Sequence, residues 1–304
     1  MSPSSDKVYV FLFAVTIDLL FGEYPSKLHP VVYMGFVGKL FDKVTQQKKN
    51  ALRFIAGAFA LVVEIFFFGA IAVVVLHFRK VESSTFGIVL FAIKVYLLKS
   101  TFSIKSLYQH MSRCYTDDLE TLRKNVSYIV SRDVSKLTKG HLYSAAIESL
   151  SENISDSITG PLFFYILFDL PGALIYRIVN TYDALFGYRN ERYEWFGKFH
   201  ARSDDLLNLV PSRLTALVIS FFNPLRAWRN MIKYGAIKIN AMYPMSAFAG
   251  VLGFGIEKVG YYKVEGRLPE KEDVKRALKL YAKVVVLILA TAVVVLVWQT
   301  IQKG

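Results

Sequence analysis

Apolar runs separated by short polar segments set the pattern of this chain. Residues 8–21 are apolar except for Thr16 and Asp18, and are short for a membrane span. The next stretch, GEYPSKLHPVVYMG, holds Gly22, Pro25 and Pro30, which argue against one continuous helix. Residues 39–53 read as a basic linker. Residues 54–78 predict the clearest transmembrane helix, 25 residues with one charge, Glu64. A carboxylate at that depth is expensive, so Glu64 should face protein or water. Residues 85–98 form a shorter apolar run that contains Lys94.

From 99 to 158 the chain is polar, free of proline and helical in pattern, which predicts a water-exposed helical region. Residues 158–179 resemble a span, but Gly160-Pro161, Asp169 and Pro171-Gly172 cut them into pieces too short to cross about 30 Å of hydrocarbon. A helix hairpin or re-entrant element, entering and leaving on the cytoplasmic side, is expected there. Residues 180–205 read as a polar motif loop. Residues 206–222 are apolar around Pro211 and Arg213, and 224–238 are basic and amphipathic. Residues 243–256 are rich in small residues, with four glycines between Gly250 and Gly260. After a charged linker at 266–279, residues 284–301 predict a second convincing span, with Trp298 at the interface. No repeat and no strand-like alternation stand out. The expected fold is all-α: a polytopic integral membrane protein, one membrane-embedded domain over 1–304, with re-entrant or amphipathic helices and a helical cytoplasmic active-site region.

Composition agrees, with 54% of the 304 residues hydrophobic and 15% aromatic. The net charge of +13 implies basic loops on the cytoplasmic side, and no nucleic-acid recognition motif accompanies it. A single cysteine, Cys114, excludes an internal disulfide and a thiolate metal site. The N-terminal apolar run lacks a small-residue cleavage site and reads as a retained segment.

Three features could carry chemistry. Glu148, Glu152 and Asp156 are spaced i, i+4, i+8, so successive members drift by about 40° and share one face of a helix. Ser149 and Asn153 lie beside them. The stripe suits a metal or phosphate–metal site, and a solvated helix face is the plainer alternative. Arg132 and Asp133 precede Lys136 and Lys139, a cation run suited to a polyanion held with a divalent metal. Weak ion pairs between surface helices would explain the same residues. Between Asn180 and Arg213, polar residues alternate with tyrosine and glycine. These include Asp183, Arg202, Asp204, Asp205 and Asn208, and such a set can frame a flat, amide-rich ligand. An interfacial aromatic belt is the alternative there. His29 before Pro30 reads as structural by itself. The five histidines show no metal spacing, which argues against zinc. No GxxxxGK[ST], GxGxxG or GxSxG motif occurs.

Taken in order, the motifs resemble the adenosylcobinamide-phosphate synthase family, the CobD/CbiB family of cobalamin biosynthesis. The matching pieces begin with Asp18-Leu19-Leu20-Phe21-Gly22, His29-Pro30 and Arg132-Asp133. They continue with Ala146-Ile147-Glu148-Ser149, Glu152-Asn153, Asp156, Pro161-Leu162-Phe163 and Pro171-Gly172-Ala173. Then come Asn180-Thr181-Tyr182-Asp183, Gly187-Tyr188, Ala201-Arg202, Asp204-Asp205, Asn208, Pro211 and Arg213-Leu214-Thr215. Asn240-Ala241 and Tyr243-Pro244 close the series. Three places depart from the family pattern. Gly22-Glu23-Tyr24-Pro25 replaces Gly-Asp-Pro, and Ser131 replaces a glycine. Lys238-Ile239-Asn240-Ala241-Met242 replaces Ser-Pro-Asn-Ala-Gly.

The resemblance implies an ATP-dependent amide ligase that joins adenosylcobyric acid to aminopropanol or aminopropanol phosphate, with Mg2+ as activator. It implies that Glu148, Glu152 and Asp156 hold the metal. With Asp205 these are the expected catalytic residues. Substrate and phosphate contacts are expected from Arg132, Lys136, Asn153, Asn180, Asp183, Arg202, Asp204, Asn208, Arg213 and His29. The residues between Asn180 and Asp205 would form the second wall of the same site. The implied location is the cell membrane, multi-pass, with the active site on the cytoplasmic face and the lipid bilayer as partner. Nucleic acid is not a partner. Ethanolamine as an alternative amine, and association into homo-oligomers, stay open. A non-catalytic membrane sensor of the same fold, or a transporter using Glu64 and Lys94, are the other readings.

Overall fold

The structure is a computed structural model in which residues 3–78 and 84–303 are described. In chain order the helices are α1 (Pro3–Phe21), α2 (Pro30–Tyr33), α3 (Phe36–Thr45), α4 (Asn50–His77), α5 (Ser84–Lys99), α6 (Lys105–Arg113) and α7 (Leu119–Ser127). They continue as α8 (Lys139–Ile154), α9 (Gly160–Phe186), α10 (Lys198–Leu207), α11 (Leu209–Ser220), α12 (Pro224–Tyr234) and α13 (Met242–Leu252). Two short strands, β1 (Ile256–Lys258) and β2 (Tyr262–Val264), precede the long α14 (Lys271–Lys303). The fold is all-α apart from this hairpin. Its strands are three residues each, too short to register as alternation in the sequence. The chain divides into two compact units: 1–103, 160–207 and 292–304 form the first, and 104–159 with 208–291 form the second.

In the first unit α1 packs on α5, α3 on α4, and α9 on both α4 and α10. Glu64, Lys94, Lys99 and Asp42 in its helices are each hydrogen-bonded or ion-paired, as their cost in a low-dielectric setting demands. Glu64 of α4 accepts the Gly35 N–H at 2.8 Å and the Tyr182 hydroxyl, so it faces protein. Lys94 meets Asp6 at 2.7 Å, and Lys99 meets Asp18 at 3.1 Å with both side chains fully buried. Asp42 receives Arg192 at 2.7 Å and Arg53 at 3.5 Å.

The expected break in residues 158–179 falls at Asp169, whose φ of 59° and ψ of −156° lie in a region that side chains rarely occupy. Its carboxylate accepts the Leu170 N–H at 2.7 Å. Pro171 follows in the first turn of the second arm, where its missing N–H leaves no helical bond unmade. The chain then doubles back. Phe164 stacks on Tyr176 with ring centroids 5.3 Å apart. A Cβ at Gly172 would stand 2.4 Å from the Phe164 carbonyl oxygen, and one at Gly160 2.2 Å from the Tyr176 ring. A straight helix would separate residues 160 and 176 by about 24 Å. Among the described residues, three helical runs could cross a membrane by length and composition: Asn50–His77, Lys139–Phe186 and Lys271–Gln302. The fold-back at Asp169 means that the middle run is not one straight span.

In the second unit α8 is the central element, packed by α6, α7, α13 and β1. Leu142, Ala145, Ala146, Ile147, Leu150 and Ile154 are all buried. Although residues 99–158 read as water-exposed, this helix within them is core. α12 and α13 approach closely because Gly250 carries no side chain, and a Cβ there would lie 2.6 Å from the Arg226 carbonyl oxygen.

Candidate functional site

In the second unit the polar centre forms around Glu148, on the buried face of α8 and 4% exposed. Ser144, one turn earlier, donates to its Oε1 at 2.8 Å. The guanidinium of Arg132 and the hydroxyl of Tyr262 donate to Oε2 at 3.1 and 2.8 Å. The Ser144 oxygen also accepts the Glu257 N–H at 2.8 Å, which ties β1 to α8. Arg132 stands on a segment held by Arg123, which donates to the carbonyls of Val134 and Ser135. Beside it, the backbone N–H and hydroxyl of Ser135 keep the Asp133 carboxyl below the usual range.

The hairpin brings further groups. Lys258 pairs in register with Tyr262, across a turn in which Gly260 takes φ +79°. The Lys238 ammonium lies 5.3 Å from the centre of the Tyr262 ring. Burial, reinforced by the charges of Lys238 and Arg132, lowers the pKa of Lys258, while Glu148 and Glu152 partly offset this. Burial and then the Glu148 charge push the Tyr262 phenol upward, so it remains a hydroxyl donor.

Glu152 and Asp156 are half-buried. Asp156 stands in a π-turn, Ser155–Thr159, that follows the regular α-helix ending at Ile154. Among the described residues no three histidine, cysteine or acidic side chains come together to hold a metal ion. Glu148 therefore does not fit the expected three-carboxylate metal set; its oxygens are occupied by three donors. Glu152 and Asp156 are two half-buried carboxylates, and a phosphate-bound Mg2+ generally takes only one or two from a protein.

Asn153 and Arg213, also expected residues of this unit, have defined partners. Asn153 donates to the Ser149 carbonyl at 2.8 Å, within its own helix. Lys136 is exposed on the Arg132 segment. Asn208 is buried at the start of α11. Arg213 donates to Asn240 Oδ1 at 2.6 Å and covers the Tyr243 ring at 4.2 Å. The altered 238–242 block thus keeps Asn240 engaged with Arg213.

In the first unit, residues 180–205 are helical at both ends rather than a loop. Asn180 and Asp183 lie on the last turns of α9, and Arg202, Asp204 and Asp205 lie on α10. Asn180 donates to Asp204 at 3.2 Å and Arg202 stands 3.8 Å from Asp205. The intervening segment packs tightly: a Cβ at Gly187 would meet Asp183 Oδ1 at 2.0 Å, and one at Gly197 the Phe186 carbonyl at 1.7 Å. It borders an open cavity of about 250 Å3 lined by Tyr188, Arg189, Glu194, Lys198, Arg202 and Asp205. His29 has a structural position. Its Nδ1 accepts the Val31 N–H at 3.2 Å, capping α2, and its Nε2 meets Glu23 at 2.7 Å. Burial alone would raise the Glu23 carboxyl, but bonds from His29 and Ser103 and the Lys99 charge hold it at about 2.

Sequence reasoning placed Arg132 near Glu148 and missed Ser144, Lys238, Lys258 and Tyr262. The one signal for the hairpin was apolar Ile256 and Val264 flanking a glycine-containing turn.

The fold and this site define an all-α membrane protein with a cation-rich polar centre in its second unit. A profile described as CobD/Cbib protein matches residues 11–298. The chain is 48% identical over 285 residues to the probable cobalamin biosynthesis protein CobD of Pyrococcus furiosus, covering 93% of this chain and 96% of the relative. It is 47% identical over 292 residues to the protein of the same name from Thermococcus kodakarensis, covering 93% and 96%. To that of Methanocaldococcus jannaschii it is 37% identical over 304 residues, covering 93% and 97%. No solved structure matches it. The chain belongs to the CobD/Cbib family.

Proposed function

We propose that this chain is an enzyme of cobalamin biosynthesis, an ATP-dependent amide ligase that joins a propionate of adenosylcobyric acid to aminopropanol or aminopropanol phosphate. The observation that carries this reading is Arg132, fixed by buried Glu148 one turn from Glu152. A carboxylate is a poor acyl donor and must first be activated. Its oxygen attacks the γ-phosphorus of ATP, the bond to the β-phosphate oxygen breaks, and ADP leaves. The amine nitrogen then attacks the acyl carbon, phosphate departs, and loss of a proton from nitrogen completes the amide. Arg132 would bind the phosphoryl oxygens as charge shifts onto them. Glu148 and Tyr262 are positioning residues: they hold Arg132 in the polar centre. Glu152 and Asp156 would hold Mg2+, which supplies further neutralisation of phosphate charge. In the first unit, Asn180 and Arg202 offer donors, and Asp183, Asp204 and Asp205 acceptors, suited to amides and to an ammonium group. The use of ATP puts the reaction on the cytoplasmic side of the cell membrane.

Glu152→Gln tests the assignment. Turnover should be abolished while the variant remains folded in membranes, and full activity would remove Glu152 from the site.

A further inference from the structure

Three cations stand in the polar centre of the second unit, and only one of them is in an ion pair. Arg132 is paired with Glu148 at 3.1 Å. Among the described residues, no carboxylate stands within ion-pair distance of the Lys238 or Lys258 ammonium. Each instead lies against an aromatic face, Lys238 at 5.3 Å from the Tyr262 ring and Lys258 at 4.8 Å from the Tyr261 ring. Both lysines are half-buried, and Lys258 is close enough to Lys238 and Arg132 for their charges to act on it, as those of Glu148 and Glu152 also do. The contrast on the same hairpin is Lys263, half of an ordinary ion pair with Glu257 at 2.9 Å. Three cations thus converge, and two of them make no ion pair, with Glu148 and Glu152 acting on Lys258 only from beyond ion-pair distance. An anion bearing several charges would relieve their mutual repulsion, and the ammonium groups could turn to it without a change in the backbone.

We propose that Lys238 and Lys258 are anion-binding residues which, with Arg132, clasp a soluble polyphosphate chain. The proposal rests on the ligase reading for its choice of polyphosphate. Lys238 occupies the first position of the block that departs from the family pattern, where serine is usual.

The test uses the full chain in phosphatidylcholine nanodiscs, titrated calorimetrically with tripolyphosphate. Lys258→Gln and Lys238→Ser should each weaken binding about tenfold or more, the loss of one charge-assisted contact. Lys258→Arg should retain most of the affinity, and Lys263→Gln should leave it unchanged. Equal losses from Lys263→Gln, or none from the other two, would overturn the proposal. So would absent tripolyphosphate binding combined with lysine-dependent affinity for phosphatidylglycerol vesicles, which would assign the cations to lipid headgroups. The two readings fail separately. Lysine-dependent binding without amide formation would sink the ligase alone, and amide formation indifferent to both lysines would sink the clasp alone.

Discussion

Removing the charge of Arg132 examines the polar centre at its most exposed link. At 3.1 Å, and at an effective dielectric near 20, the attraction between Arg132 and Glu148 is about 5 kcal/mol gross. Desolvation offsets much of this, since the two side chains are only 18% and 6% exposed. Glu148 also retains Ser144 and Tyr262 as donors. Arg132→Gln should therefore cost about 2 kcal/mol of stability. Glu148→Gln should cost more, about 3 kcal/mol, because Arg132 loses its counter-charge beside two further cations. The double variant should resemble Glu148→Gln, giving a coupling energy of about 2 kcal/mol. Denaturant unfolding of the four proteins in one detergent, followed by tryptophan fluorescence, measures it. Coupling below about 0.5 kcal/mol would refute the argument that Glu148 is what holds Arg132.

Two further outcomes are expected. In a Cys114→Ser background, cysteines at Phe164 and Tyr176 should form a disulfide on mild oxidation; a straight helix would hold them about 18 Å apart, and failure to cross-link would remove the hairpin. Because the Glu23 carboxyl is held at about 2 against an ordinary 4.5, its contribution to stability is complete above 4.5 and lost as pH falls toward 2. Unfolding midpoints across that window should flatten in Glu23→Gln, and an unchanged slope would show that the carboxylate does not contribute.

What could be read in the sequence was local. Glycine and proline around Asp169 announced the fold-back, since those residues act on the backbone they belong to. The apolar cores of α4 and α14 were equally plain. Glu148 and Arg132 were legible as chemistry because they are only 16 residues apart. The partners of Glu148 in the hairpin were not: Tyr262 is 114 residues away, and three-residue strands carry no periodicity. The acid stripe was drawn on a regular helix, whereas Asp156 stands in a π-turn at Ser155–Thr159. The local role of His29 was legible beside the motif it belongs to: its ring caps α2, two residues on. The burial of α8 was hidden because its polar side chains satisfy one another inside the unit.

The central claim is amide synthesis driven by ATP, and one reconstituted assay tests it directly. The purified chain in nanodiscs would receive ATP, Mg2+ and adenosylcobyric acid, with aminopropanol, aminopropanol phosphate or ethanolamine in parallel, and products would be identified by mass spectrometry. ADP and the corrinoid amide should form together in a 1:1 ratio, about as much of one as the other, only when an amine is present. ATP hydrolysis without amide, or no reaction with any amine from protein that is folded, would contradict the account.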